Sequence, residues 1–442
     1  MSEQRVSEQS RRSFLGQAVA VAGVAAIAGS AAASNRAGKP AFVAERSKKK
    51  AVRLAPGETI RMAVIGTGGM GTGHCQSTMA MAKRGEENVQ IVALADVNQV
   101  RMADAHRRCE SEQGITVDQY TDYRKLLERD DIHGVLVASP EHWHGKHCTD
   151  ALMAGKDVYC EKPMTLRLEE GLALREVVLK NPDRIFCVGT QKIILPKYIE
   201  ARRLIKEGAI GKPTMSQTSY CRNSKDGEWL YYGLDPKWQP GVNMDWEAWL
   251  GDLPKRPWSP EIYARWRRYK DFSTGIVGDL LVHEITPLIM ALDSGWPTRV
   301  CASGGHYVDK KMENHDTVNL NVEFEDGHTM IIAGSTANEV GLETLIRGHK
   351  GNMFLNSRHV VIRPERLYVD DIDARTVECA DIGNDQEKLR LNWWQCMRNR
   401  EPAISNVELA TKVMVAVDLA TRSMWDGAAY GFDPETMRAR KL

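Results

Sequence analysis

The first half of the chain alternates short apolar runs with longer polar stretches. Five runs have the length and composition of buried strands, at 61–65, 89–95, 134–138, 157–160 and 184–188. Stretches with helical spacing separate them, for example 121–130 and 145–155, and Gly155 is suited to end the second helix. Because strands that alternate with helices pair in parallel, this pattern predicts a parallel sheet covered by helices on both faces.

The pattern changes after about residue 190. A helix is predicted at 197–208 and a strand at 214–221, followed by a passage rich in Trp, Pro and Gly that extends to about residue 272. The tryptophans of this passage are Trp229, Trp238, Trp246, Trp249, Trp258 and Trp266. Such rings stack on the faces of sugars, although packing in a hydrophobic core explains most of them equally well.

Longer alternating runs follow, and two of them indicate a hairpin. The runs 317–324 and 328–333 flank a Glu-Asp-Gly sequence, which favours a tight reversal of the chain. Two predicted helices close the chain, at about 387–398 and 406–425. We therefore predict an α/β protein with a parallel-sheet domain at 59–189 and, at 190–442, a second α/β domain with an open, mainly antiparallel sheet.

The first 33 residues are predicted to be a targeting leader. Arg11 and Arg12 stand in the sequence Ser-Arg-Arg-Ser-Phe-Leu, which is typical of twin-arginine signals, and Ala31-Ala32-Ala33 suits a signal peptidase. A membrane anchor is the alternative, but the Ala/Gly/Val-rich run is short and only weakly apolar for a span. We expect export by the twin-arginine machinery to the periplasm, no membrane insertion after leader removal, and a linker or extended arm at 34–58.

Composition and charge narrow the class of protein. The 442 residues are 43% hydrophobic and 26% charged, and the net charge of +1 gives no basic footprint for nucleic acid or an anionic membrane. The nine cysteines are scattered and contain no C-x-x-C pair. A twin-arginine substrate folds before export, so we expect these cysteines to be reduced and buried, with no disulfide framework.

A glycine-rich loop follows the first predicted strand. The apolar run that ends at Ile65 leads into Gly66-Thr67-Gly68-Gly69-Met70-Gly71, the pattern Gly-x-Gly-x-x-Gly, and a helix-compatible stretch comes next. In this pattern the first glycine allows a tight turn, the second lets backbone approach a pyrophosphate, and the third permits close packing of helix on strand. Because the helix N-terminus adds free N–H groups, the loop predicts dinucleotide binding.

A carboxylate lies where such a nucleotide would present its ribose. The second strand-like run ends at Asp96, 25 residues after Gly71, and a strand-end acid at this spacing hydrogen-bonds a ribose diol. A 2′-phosphate would meet this negative charge, although Arg101 softens the repulsion. The predicted cofactor is NAD, and NADP is the less favoured alternative.

Two further sets of residues suggest chemistry. Glu161-Lys162-Pro163 ends a predicted parallel strand, at the edge where open α/β sheets bind ligands, so Lys162 would donate to a substrate oxygen unless it is a plain surface lysine. Asp279 and His283 are spaced i, i+4, which places both on one face of a helix. The carboxylate would favour the protonated imidazole and prepare it to exchange a proton with a hydroxyl. A solvated ion pair or a packed core histidine is the alternative.

Three histidines lie close together near the end of another strand, within Ser139-Pro140-Glu141-His142-Trp143-His144 and at His147. Their spacings of 2 and 3 differ from those of zinc motifs, and no matching carboxylate stands nearby. We predict no metal site here.

Taken in order, these motifs resemble the Gfo/Idh/MocA family, named after glucose–fructose oxidoreductase and inositol dehydrogenase. The resemblance covers roughly residues 59–437. It rests on the glycine loop, Asp96, the Pro-x-x-x-His pattern at Pro140 and His144, and the segments 154–163, 188–191, 208–213, 279–283 and 432–436.

The resemblance implies an NAD(P)-dependent oxidoreductase that transfers hydride between nicotinamide and a sugar, polyol or sugar derivative. It implies a Rossmann domain followed by a domain whose open sheet often mediates oligomers, so we expect a homodimer or homotetramer. Lys162, Asp279 and His283 would form the catalytic set, with His283 as general acid–base. The cofactor-binding residues would be Gly66, Gly68, Gly69, Met70, Gly71, Asp96, Ser139, Pro140, His144, Glu161, Lys162 and Gln191.

The chain departs from the family pattern near the histidine. Family members usually carry Asp-x-Gly-x-His-x-x-Asp, whereas Leu281 replaces the glycine and Thr286 the second aspartate. The substrate pocket is therefore expected to differ from that of the inositol enzymes. One alternative is a glycosidase-like enzyme that oxidises a sugar, eliminates its substituent and reduces it again with recycled NAD. Another is a non-catalytic module that binds a sugar or a nucleotide.

Overall fold

The structure of the protein is a computed structural model that describes residues 45–442. The predicted leader, with Arg11, Arg12 and the proposed cleavage site, lies outside the described residues, as does the first part of the predicted linker at 34–58. Within residues 45–442, no helix combines the length and the apolar character needed to cross a bilayer.

The first domain is built on a parallel sheet. Its strands are β1 (Ile60–Ile65), β2 (Val89–Ala95), β3 (Asp118–Tyr120), β4 (Gly134–Val137), β5 (Asp157–Cys160) and β6 (Phe186–Val188). The helices between them are α1 (Gly69–Lys83), α2 (Gln99–Gln113), α3 (Tyr123–Leu127), α4 (Glu141–Met153) and α5 (Leu168–Lys180). The strand order β3-β2-β1-β4-β5-β6 reverses between β1 and β4, where such sheets open a crevice at the carboxyl ends of their strands.

The five predicted strands are all present in this sheet. Their residues are buried on both faces of the sheet, so each strand is a continuous apolar run that can be recognised in the sequence. The sixth strand, β3, was not predicted because Asp118 and Gln119 are exposed at the edge of the sheet. Helix α4 begins at Glu141, four residues before the predicted start, since Pro140 stands at its N-cap with extended φ and ψ.

The second domain follows with a larger sheet. Its first elements are α6 (Pro196–Lys206), β7 (Pro213–Asn223), α7 (Trp246–Leu250), α8 (Pro260–Ala264), α9 (Val282–Leu292), β8 (Pro297–Gly305), β9 (Thr317–Phe324) and β10 (Thr329–Ser335). It continues with β11 (Ala337–Asn338), β12 (Leu345–Gly348), β13 (Gly351–Phe354), β14 (Val360–Pro364), β15 (Arg375–Val377), α10 (Asp385–Asn399), α11 (Val407–Asp426), β16 (Tyr430–Asp433) and β17 (Arg438–Lys441).

The order in this sheet is β15-β14-β13-β12-β7-β10-β9-β8-β16-β17, and β11 pairs with β7 outside that path. The predicted hairpin is present, since β9 and β10 pair antiparallel with Glu323 opposite Thr329. One central pair, β7 with β10, is parallel, and the other neighbours are antiparallel. The predicted fold class, a parallel sheet followed by an open and mainly antiparallel one, is confirmed.

Two helices of the second domain, α10 and α11, pack against the first domain. Gly134 of β4 is so close to Trp393 and Met397 of α10 that an added Cβ would lie about 3 Å from both side chains. A Cβ added to Gly171 of α5 would lie 3.7 Å from Met414 of α11, so these helices are in van der Waals contact. Trp393 is fully buried in a hydrophobic core that includes residues of both sheets. The two domains therefore share one continuous core.

The described end of the predicted linker is fixed to the first domain. The amide of Ser47 donates to Asn181 Oδ1 at 2.9 Å, and its hydroxyl donates to the carbonyl of Met153 at 2.6 Å. Val52 donates to the carbonyl of Gly155. Residues 47–52 therefore form an extended segment packed beside α4 and β5.

Candidate active site

A cavity of about 1640 Å³ lies along the carboxyl ends of the parallel strands and extends beneath the second domain. All the residues predicted to bind the cofactor line it except Gly71, which is buried against the loop itself. Lys162, Asp279 and His283 line the same cavity. The structure thus brings Lys162 together with Asp279 and His283, which are more than 100 positions away from it in the sequence.

The glycine loop forms a cradle without side chains. Gly66 has φ +92°, and a Cβ added to it would lie 2.6 Å from the backbone nitrogen of Ser139. A Cβ on Gly71 would lie 1.8 Å from the carbonyl oxygen of Gly66, so helix and strand approach as closely as the motif requires. Gly68 caps α1 without a side-chain hydrogen bond, which leaves the helix N-terminus free to bind a phosphate.

Asp96 is held rigidly at the end of β2. Its Oδ2 accepts hydrogen bonds from the amide of Thr67 at 2.6 Å and from the Thr67 hydroxyl, and its Oδ1 accepts from the amide of Asn98. Arg101 lies between two aromatic rings, with its guanidinium carbon 4.7 Å from the centroid of Trp238 and 4.6 Å from that of Tyr263. These contacts hold a carboxylate and a guanidinium beside the glycine loop.

The segment after β4 is fixed by its histidines. The two ring nitrogens of His144 lie 2.7 Å and 2.8 Å from the carbonyl oxygens of Pro163 and Ser139. Burial alone would lower the pKa of His144, but the nearby Cys160 and these two carbonyls raise it above its ordinary value. His147 Nδ1 lies 3.0 Å from the hydroxyl of Ser139.

His142 is bound separately, through the carbonyl of Trp249 at 2.8 Å. Each of the three histidines therefore has its own partner. Within residues 45–442, no three His, Cys, Asp or Glu side chains are grouped as metal ligands.

Asp279 is the centre of a compact ionic cluster. Lys162 Nζ donates to its Oδ1 at 2.8 Å and to its main-chain carbonyl at 2.7 Å. Arg267 Nε donates to the same Oδ1 at 2.8 Å, and Trp229 Nε1 donates to Oδ2 at 3.3 Å. Although burial alone would raise the pKa of Asp279, the charges of Arg267 and Lys162 hold it far below its ordinary value. Asp279 is therefore ionised.

His283 differs from the expected charged imidazole. Asp279 lies in a π-helical turn, Val277–Leu281, just before α9, and its carboxylate binds the two cations instead of the imidazole. Burial, together with the positive charge of Lys162, lowers the pKa of His283 to about 3. Its buried Nδ1 has no partner among the described residues. The ring is therefore neutral and available for proton transfer in the cavity.

A buried chain of polar groups behind Glu161 was missed by the sequence analysis. Glu161 Oε1 lies 2.7 Å from His74 Nε2, and the other ring nitrogen of His74 accepts from the fully buried Arg390 on α10. Because a guanidinium only donates, His74 carries its hydrogen on Nε2 and donates it to Glu161. Burial opposes ionisation of Glu161, but the hydrogen bond from His74 and the positive charge of Lys162 lower its pKa to about 2.

No local signal marks these partners. His74 lies 87 residues from Glu161 and 316 from Arg390, and only the tertiary fold joins them. Arg267 was missed for the same reason, since it lies in a single 3-10 turn, Trp266–Arg268, within an irregular passage.

The Trp-rich passage forms one side of the cavity. We call this surface the aromatic wall, and its residues are Trp238, Asp245, Ala248, Trp249, Leu250, Gly251, Asp252, Leu253 and Tyr263. The wall is bound to the first domain through main-chain hydrogen bonds from Gln99 to Asn243 and from Asp245 to Val97. Trp143 Nε1 also donates to the carbonyl of Trp249 at 2.8 Å.

Leu281 and Thr286, the two residues that depart from the family pattern, are both buried in the core. Leu281 is fully buried at the end of the π-helical turn. Thr286 is buried on α9, and its hydroxyl donates to the carbonyl of Val282 at 2.7 Å. Neither residue lines the cavity, so both act on the site through the helix that carries His283.

Comparisons with known proteins agree with this geometry. Residues 60–189 match a family model described as "oxidoreductase family, NAD-binding Rossmann fold", and residues 252–431 match its partner, described as "oxidoreductase family, C-terminal alpha/beta domain". Together the two models cover more than half of the chain.

Individual curated relatives share only a modest sequence identity with this chain. An inositol 2-dehydrogenase of Klebsiella pneumoniae is 27% identical over 170 residues, which are 38% of this chain and 48% of that protein. The chain thus spans about half the length of the curated relatives it matches.

Solved structures match over a greater length. A levoglucosan dehydrogenase complexed with NADH and levoglucosan is similar with a TM-score of 0.63 at 18% identity, over 87% of this chain and 100% of that one. An oxidoreductase domain protein from Kribbella flavida gives a TM-score of 0.65 at 19% identity, over 84% and 98% of the two chains. At these identities the likeness establishes the fold.

Proposed function

The chain belongs to the Gfo/Idh/MocA oxidoreductase family, and on that premise we propose that it is an NAD-dependent dehydrogenase of a sugar, polyol or sugar derivative. One observation carries the proposal: Lys162, Asp279 and the neutral His283 line the same cavity as the glycine loop. The similar inositol 2-dehydrogenase and levoglucosan dehydrogenase are named for substrates of this class.

The residues of the cavity fit NAD. Gly68 and Gly69 carry no side chain, so the loop backbone can approach a pyrophosphate, and the free N-terminus of α1 favours its negative charge. The fixed carboxylate of Asp96 suits a ribose diol better than a 2′-phosphate. When bound, NAD supplies the hydride acceptor or donor.

The catalytic cluster would carry out the proton transfer. Lys162, aimed by Asp279, donates a hydrogen bond to the substrate hydroxyl and stabilises negative charge that develops on its oxygen. His283 accepts the hydroxyl proton on a ring nitrogen. A ring of low pKa is sufficient for this step because loss of hydride from the carbon turns the hydroxyl into a far stronger acid.

Steady-state kinetics would test these roles. NADH formation by the purified protein should be measured with a panel of sugars and polyols. We expect Lys162→Ala and His283→Ala to lower kcat by about 10²–10⁴-fold. Lys388→Ala and His106→Ala, which lie outside the cavity, serve as matched controls and should leave kcat unchanged. Full activity of both cavity variants would refute the assigned roles.

The aromatic wall favours a second candidate, the glycosidase-like enzyme with recycled NAD. A nucleotide enclosed between the glycine loop and the second domain is suited to repeated oxidation and reduction without release. Cleavage of a chromogenic glycoside with no net change in NADH would select this candidate, whereas stoichiometric NADH formation from a free sugar would exclude it.

We also propose export through the twin-arginine route, supported by Arg11, Arg12 and the leader sequence. All nine cysteines are free, as suits a chain that folds in a reducing compartment. Cell fractionation of the Arg11→Lys, Arg12→Lys double variant should find the protein retained in the cytoplasm. Equal export of the variant and the wild type would refute the route.

We propose assembly as a homodimer or homotetramer through the open second sheet. Ile331 of β10 is 38% exposed on that sheet, where an apolar side chain would gain from burial. Light scattering coupled to gel filtration would measure the subunit number, and a monomer at micromolar concentration would contradict the proposal.

A further inference from the structure

Arg267 lines the cavity, and the two terminal nitrogens of its guanidinium are free of protein hydrogen bonds among the described residues. We call these two nitrogens the fork. Arg267 Nε is bound to Asp279, and the guanidinium stacks on the ring of Trp266 at 4.1 Å from the centroid. Within residues 45–442, its two terminal nitrogens make no hydrogen bond to the protein. The side chain is nevertheless only 16% exposed, so this fork is directed to the cavity and largely withdrawn from bulk water.

The carboxylates near the fork are hydrogen-bonded to other groups. Asp279 Oδ1 is shared between Lys162 Nζ and Arg267 Nε. Glu161 is hydrogen-bonded to His74, Glu228 to Arg222 and Glu141 to Ser273. The terminal nitrogens of Arg267 therefore have no carboxylate in direct contact, and a cation withdrawn from water gains from such a contact.

We propose that the substrate is a sugar acid whose carboxylate binds the terminal nitrogens of Arg267 while the reacting hydroxyl lies at Lys162 and His283. This inference rests on the proposed dehydrogenase function and deepens it. A planar guanidinium matches a carboxylate with two parallel hydrogen bonds, and a bound carboxylate would supply acceptors for both terminal nitrogens. A neutral sugar would leave the fork without a charged partner.

Binding measurements on the NADH-loaded protein would test the proposal. Calorimetry should compare three pairs that differ in one carboxylate: glucuronate with glucose, galacturonate with galactose, and mannuronate with mannose. We expect at least one acid to bind about 10- to 100-fold more tightly than its neutral partner. In Arg267→Ala this preference should disappear, whereas the surface control Arg299→Ala should retain it.

The ratio between acid and neutral sugar is the informative quantity. Arg267→Ala also removes a hydrogen bond to Asp279, and a disturbance passed on through Asp279 would weaken both members of a pair equally. Arg267→Lys keeps the charge without the planar fork, so its preference should be intermediate. Equal binding of acids and neutral sugars by the wild type, or an unchanged ratio in Arg267→Ala, would overturn the inference.

Failure of this inference is distinguishable from failure of the proposed function. Oxidation of a neutral sugar with NAD, without preference for its acid, would refute only the sugar-acid proposal. Full activity of Lys162→Ala and His283→Ala would refute the catalytic assignment on which both depend.

Discussion

At the scale of single residues, the site depends on how Asp279 divides its hydrogen bonds. A carboxylate four positions before a histidine suggests a charged imidazole, but here Lys162 and Arg267 bind the carboxylate instead. Two full positive charges attract it more strongly than a polarisable ring does. His283 is left neutral in a buried position beside a cation, and its pKa falls accordingly.

The pH dependence of kcat/KM should reflect this neutral ring. A pKa of about 3 means that His283 is protonated only in strong acid, so its base form is fully present above that value. We therefore expect the kcat/KM of sugar oxidation to stay level from about pH 8 down to about pH 5, without the fall near 6.5 that an ordinary histidine causes.

Initial rates of NADH formation across this range would measure the profile. His283→Ala provides the control, because it removes the titrating group. An acid limb with a midpoint near 6.5 in the wild type that is absent from the variant would contradict the low pKa.

At the scale of elements, α1, α10 and the residue that follows β5 are joined by the chain Glu161–His74–Arg390. Each contributes one buried polar side chain, and His74 is hydrogen-bonded to both of the others. Removing one member leaves a buried polar atom of its neighbour without that partner, which costs more than the loss of an exposed ion pair. This network therefore links the position of Glu161 in the cavity to the packing of a distant helix.

The variant Arg390→Met should destabilise the protein strongly. Loss of the buried guanidinium leaves His74 Nδ1 without its donor and removes a positive charge near Glu161, and we expect the free energy of unfolding to fall by about 3–5 kcal/mol. Arg299→Met, which breaks the exposed pair between Arg299 and Glu323, should cost only about 0–1 kcal/mol.

Urea denaturation followed by circular dichroism would compare the two arginine variants. Similar stabilities of Arg390→Met and Arg299→Met would show that the buried chain contributes little.

The elements also show what could be predicted from the sequence. The five buried parallel strands and the glycine loop were predictable because apolar runs and backbone-critical glycines are local properties. The parallel pairing of β7 with β10 was not, since alternation marks a strand without specifying its partner. Lys162, Asp279 and His283 were predicted from motifs and line one cavity, whereas Arg267, His74 and Arg390 have no motif and join this region only through tertiary contacts.

At the scale of the whole molecule, the two domains cannot be separated cleanly. The C-terminal helices α10 and α11 pack on β4 and α5 of the first domain. Trp393 of α10 is fully buried where this helix meets Gly134 of β4. A first domain alone would expose this apolar surface to water. The core of the first domain therefore includes helices from the C-terminal end of the chain.

The intact protein should unfold in one cooperative transition. Because the core is continuous, the denaturation midpoints by circular dichroism and by tryptophan fluorescence are expected to coincide. A fragment of residues 45–190, which lacks α10 and α11, should bind a hydrophobic dye and show no sharp transition. Two separate transitions in the intact chain, or a sharply melting fragment, would contradict the shared core.

The aromatic wall gives the protein a kinetic property of its own. Its backbone is hydrogen-bonded to the loop after β2, through Gln99 with Asn243 and Asp245 with Val97. We expect a dinucleotide bound beside the wall to dissociate more slowly where these bonds have to open first. A substitution that weakens them, far from the nucleotide itself, would then shorten its residence time.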